Sequence, residues 1–171
     1  MDIKNITIKE YFTLSNTLVY DSVFEFLKPT NEFRGKRCNF KSLSFDEVSV
    51  LKKIIGNPTI DNLRLIYKIM YKEWFDGGNV IEFMQSYKWI LDKIKEVGER
   101  ENKLLKSDTD YKLVQAGINN LNKFGILNTK INLAERFGVT PKEIGQWKYI
   151  DVLHIQSHGI TTQQIQKNLS K

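Results

Sequence analysis

The feature that most constrains this chain is the repeated placement of helix-start signals ahead of apolar residues spaced three and four apart. Thr7-Ile8-Lys9-Glu10 and Ser44-Phe45-Asp46-Glu47 have the form in which a hydroxyl and a carboxylate satisfy the free amides of a first helical turn. Apolar residues follow each at helical spacing: Ile8, Tyr11 and Phe12, then Leu18, Val19, Val23, Phe26 and Leu27; and Val48, Leu51, Ile54 and Ile55. Thr140-Pro141-Lys142-Glu143 adds a capping hydroxyl, a proline at the first helical position and an acid at the third. A sequence punctuated in this way predicts an all-α fold.

The most regular segment starts at Val80. Ile81, Phe83, Met84, Tyr87, Ile90, Leu91, Ile94 and Val97 fall on one side, and Glu82, Lys88, Asp92, Lys93, Lys95 and Glu96 on the other. Continued to Lys106, such a helix is about 40 Å long, either a bundle member or a shaft between subunits. Ahead of it, Ile60, Leu63, Ile66, Tyr67, Met70 and Trp74 share a face, with Pro58 in the first turn and Gly77-Gly78 as the stop. The stretch 29–43, with Pro29 and Gly35, reads as an exposed loop and the one place for a small hairpin.

After Asp108 a cluster of short helices is expected. Leu113, Val114, Ile118 and Leu121 form one face before Gly125, and Gly138 closes a second helix. The helix from Pro141 is expected to run to Gly159, with Thr161 capping a last short one. The resulting architecture is a helical bundle in three segments: an N-terminal helical region 1–78, a long helix 79–108, and a C-terminal helical cluster 109–171. These segments carry net charges of +2, 0 and +4. The C-terminal excess suits a solvated basic face, nucleic acid or an acidic protein surface.

Chemistry is sparse. Cys38 is the only cysteine, which excludes an intramolecular disulfide; in the basic run around it, a buried thiol is weighed against a thiol of lowered pKa. His154 and His158 have a spacing that can hold a metal, but no third ligand follows them. Neither a phosphate loop nor a paired-carboxylate motif is present, so no catalytic residue, cofactor or metal is assigned. No apolar run approaches the roughly 20 residues that cross a bilayer, and the first residues lack the pattern of a signal peptide.

One motif points further. In "NLAERFGVTPKEIGQW", Asn132 to Trp147, Ala134 is small where two helices would approach and Gly138 suits the turn, while Leu133, Phe137, Ile144 and Trp147 supply a core. Read as a DNA-binding helix-turn-helix, its contacts would be Lys142, Gln146 and Lys148. That reading surface is thin, since Pro141 and Gly145 offer no polar side chain. The continuation "KYIDVLHIQ" also suggests a buried second helix rather than one free to enter a groove.

The opening "NITIKEYFTLSNTLVYD", the long middle helix and the close "LNKFGILNTKINLAERFGVTPKEIGQWKYIDVL" together resemble small helical proteins encoded among the virion and assembly genes of tailed bacteriophages, especially crAss-like phages. The resemblance implies a non-enzymatic protein of the virion, or of the host cytoplasm during assembly: a head–tail connector or ring component at the portal–tail neck, or a tail-assembly chaperone. It further implies a homo-oligomer in contact with portal, tail or capsid proteins. Trp74, Phe75, Tyr87, Trp89, Trp147 and Tyr149 are candidate interface anchors, with Tyr71 beside them.

Overall fold

The computed structural model describes residues 6–15, 18–106, 115 and 118–169. Eight α-helices lie among them: α1 (Ile8–Thr13), α2 (Leu18–Phe26), α3 (Phe45–Ile54), α4 (Ile60–Tyr71), α5 (Val80–Leu104), α6 (Ile126–Phe137), α7 (Pro141–Gln146) and α8 (Tyr149–Leu169). Short 3-10 turns cover Phe40–Ser42, Phe75–Gly77 and Ile118–Phe124. The fold is all-α, and β pairing among the described residues is limited to isolated bridges. Leu113, Val114 and the side chains of Val19 and Ile118 lie outside the described residues.

The three capping motifs close as their chemistry requires. Glu10 N–H donates to Thr7 Oγ1 at 3.2 Å while Glu10 accepts from Thr7 N–H at 2.8 Å, and the Ser44/Glu47 and Thr140/Glu143 pairs repeat this exchange. At α4 the cap is Thr59, so Pro58 lies before the helix and not in its first turn. That helix ends at Lys72, in the left-handed region at φ 58°, ahead of Gly77-Gly78. Trp74 therefore leaves the α4 face and is 67% exposed.

The chain forms two compact units, 1–40 with 51–97 and 41–50 with 98–171, which cut across the three segments read from the sequence. In the first unit, buried Tyr67 donates to the Phe83 carbonyl at 2.9 Å, and its hydroxyl also lies 2.8 Å from Ser86 Oγ. Phe33 stands edge-on to Tyr67 with centroids 4.5 Å apart, and Phe75 and Phe83 complete the cluster. Such offset aromatic pairs each add about 1 kcal/mol beyond area burial. Gly78 makes room for them, because a Cβ there would meet Phe33 at 2.7 Å.

The stretch 29–43 corrects the sequence reading in part. A tight hairpin turn does form: Phe33 and Lys36 exchange backbone hydrogen bonds at 2.9 Å, with Arg34 at φ 50° and Gly35 at φ 70°. Yet Phe33, Cys38 and Leu43 are buried, so this largely exposed loop is anchored by three core side chains. Cys38 takes the plainer of its two readings, that of a buried residue. Asn31 ties it down by donating to the Cys38 carbonyl at 2.9 Å and accepting from its N–H at 3.0 Å.

Two further bridges have no precursor in the sequence reading. Thr7 pairs with Asn79, where Ile8 N–H donates to Gly78 at 3.0 Å and Val80 N–H to Ile6 at 3.0 Å. Ser44 pairs with Lys148 in the second unit.

Candidate functional site

In the second unit, Gly138 at φ 66° ends α6 and turns the chain toward α7, and the two helices pack on each other. Val139 N–H returns to the Ala134 carbonyl at 3.1 Å, and Leu133, Ala134 and Ile144 are buried at the corner. Phe137 is not core; it is 44% exposed and stands edge-on to Trp147 at 5.3 Å. The helix-turn-helix-like corner is therefore present.

The second helix is shorter than the sequence reading held. Phe45 N–H donates to the Trp147 carbonyl at 2.8 Å and Tyr149 N–H to the Leu43 carbonyl at 3.0 Å, so residues 147–148 leave the helix to pair with 43–45. Helix α7 ends at Gln146, and α8 then runs unbroken through Gly159 and Thr161 to Leu169. Thr161 caps nothing: its hydroxyl donates back to Ser157 O at 3.0 Å.

The candidate DNA contacts divide accordingly. Lys142 and Gln146 are exposed one turn apart on α7, whereas Lys148 is exposed beyond the helix end. Gly145 is no reading position, being buried under the Asp46 carboxylate. Lys130 holds that carboxylate by donating to both its oxygens.

The interface candidates also divide. Phe75 and Tyr149 are buried and present no ring to a partner. Phe75 packs against Phe12, Tyr67 and Phe83, and Tyr149 donates from its hydroxyl to Glu101 at 3.1 Å. Burial, with the Glu101 carboxylate beside it, pushes the Tyr149 phenol well up. Tyr71 is buried as well. Tyr87 is half-buried, stacked on Phe83 at 5.7 Å, and burial raises its phenol. Trp89 and Trp147 are half-buried, with Lys93 over the Trp89 ring at 5.9 Å. Trp74 stands open, with Lys68 5.7 Å from its ring centroid.

A run of exposed apolar side chains lies where the sequence reading placed no site. Leu121, Phe124, Ile126, Leu127 and Ile131 are each 37–46% exposed. Together they expose on the order of 400 Å² of apolar area, distributed along the 3-10 turn and around α6. Leu127 and Ile131 are one turn apart on the side of α6 away from Leu133. The sequence does carry a signal for them: apolar residues occupy more of the circumference of α6 than one buried face can use.

His154 and His158 are exposed one turn apart on α8, and among the described residues no three His, Cys, Asp or Glu side chains gather around a metal-sized space. Among the same residues no helix is long and apolar enough to cross a membrane. Comparison with family models, with curated proteins and with solved structures finds no match to this chain.

Proposed function

We propose that the chain is a non-enzymatic structural or assembly protein of a tailed-bacteriophage particle, acting by self-association and by contacts with portal, tail or capsid proteins. The observation that carries this reading is the exposed apolar stretch 121–131, since burial at about 25 cal/mol per Å² makes association the natural use of such a surface. The resemblance of the opening and closing segments to phage virion and assembly proteins supplies the setting. A connector or ring component at the neck would keep this surface covered in the finished particle; a tail-assembly chaperone would cover it only during assembly.

A second reading rests on one observation, the shared solvent face of Lys142 and Gln146 after the Gly138 turn, which a DNA-binding regulator would use. Light scattering of the purified protein separates the two when repeated with a mixed-sequence duplex at low and physiological salt. Multiples of 20.0 kDa that ignore the duplex support the assembly reading. A species that binds duplex and releases it as salt rises supports the regulator.

A further inference from the structure

On the other flank of α6 from Leu127 and Ile131, α6 and α8 border an open cleft of about 260 Å³. Its floor includes buried Leu133, and its walls carry Asn132 and Arg136 from α6 with Gln156 and Gln163 from α8. No acidic residue lines it. The Arg136 guanidinium has no carboxylate partner among the described residues; its recorded contact is with the neighbouring Phe137 ring, 5.5 Å from the centroid.

Gly159 shapes this cleft. It sits inside α8 with ordinary helical backbone, where glycine costs about 1 kcal/mol against alanine and no turn requires it. A Cβ there would stand in ordinary van der Waals contact with Arg136 Nη1, at 3.5 Å, so a side chain larger than alanine at this position would reach the guanidinium.

We infer that this cleft receives an acidic segment of a partner protein, one carboxylate pairing with Arg136 while its apolar stem or neighbour lies on Leu133. Arginine presents a planar fork matched to a carboxylate, and the surrounding amides can donate to its remaining lone pairs. A nucleic-acid backbone is the poorer fit, because it presents phosphates in series and needs cations in series, whereas the cleft holds one cation among neutral amides and an apolar floor. The net +4 of residues 109–171 favours an acidic partner at long range. The inference rests on the assembly reading only in taking the partner to be a protein.

The test uses the full chain and three fluorescein-labelled probes: a peptide alternating leucine and glutamate, its leucine–lysine counterpart, and a mixed-sequence duplex of about 20 base pairs. Binding is followed by anisotropy for the wild type, Arg136→Ala and Gly159→Leu, with circular dichroism as the folding control. Leucine is a better helix former than glycine, so Gly159→Leu fills the cleft without weakening α8. The acidic peptide is expected to bind the wild type and to lose about ten-fold in each variant, the order of one charge-assisted hydrogen bond. No binding of the acidic peptide, equal binding in all three proteins, or Arg136-dependent binding of the duplex overturns the inference. Self-association through Leu127 and Ile131 is measured separately, so a failed cleft leaves the assembly reading standing.

Discussion

Lys130 Nζ lies 2.9 and 3.0 Å from the two carboxylate oxygens of Asp46, joining residues 84 apart in the chain. The lysine side chain is only 16% exposed and the aspartate 38%, so this pair is less screened than an ordinary surface ion pair. A double-mutant cycle with Asp46→Ala and Lys130→Met is expected to show a coupling of about 1–2 kcal/mol in urea unfolding. Additive effects would mean that the contact contributes nothing measurable.

Gly145 lies directly under the same carboxylate, and a methyl group there would collide with Asp46. Gly145→Ala is expected to destabilise the protein by about 1–3 kcal/mol, as overpacking does, although alanine favours a helix. Adding Asp46→Ala should restore part of the loss. If Gly145→Ala raises the unfolding midpoint, the close approach is wrong.

These contacts also explain which parts of the fold were legible in the sequence. The Thr7, Ser44 and Thr140 caps depend on a residue three positions away, and their pattern stands in the sequence. The break at Trp147 depends on pairing with Leu43 and Phe45, about a hundred residues earlier, while the local pattern from Pro141 onward remains helical. Phe33 was hidden for a similar reason: its polar neighbours describe a loop, but the Tyr67 and Tyr71 rings of α4 pack against it. Of the candidate surfaces, the Gly138 corner was legible from its glycine and small residue. The exposed stretch 121–131 was legible only as an excess of apolar residues around α6, and the three-dimensional fold was needed to show which of them lack cover.

Tyr71 is buried, and its hydroxyl finds no hydrogen-bond partner among the described residues. Burial pushes its phenol well up, since the charged form would be poorly solvated there. Tyr71→Phe removes the unsatisfied group while keeping the ring and is expected to raise stability by about 1 kcal/mol. A lower urea midpoint for the variant would show that the hydroxyl has a partner in solution.

Glu10 and Glu143 accept hydrogen bonds from the backbone and hydroxyl of Thr7 and Thr140, which hold both carboxylates below their ordinary value of 4.5. A carboxylate with a depressed folded-state pKa adds stability that is present above its unfolded value and lost as pH falls through the folded one. The thermal midpoint is therefore expected to drop on acidification below about pH 4.5, and Glu10→Gln/Glu143→Gln should show a shallower drop. Parallel curves for the two proteins would count against these caps as a source of the acid sensitivity.

The central claim, that the exposed surface at 121–131 joins copies of this chain, is tested most directly by sedimentation velocity on the wild type and on Leu127→Glu/Ile131→Glu. Both substitutions lie on a solvent-exposed helix face and place good helix formers there. The wild type is expected to sediment as a multiple of 20.0 kDa and the double variant as the folded monomer. A wild-type protein that remains a 20.0 kDa monomer as its concentration rises, or a variant that assembles as the wild type does, would contradict the account.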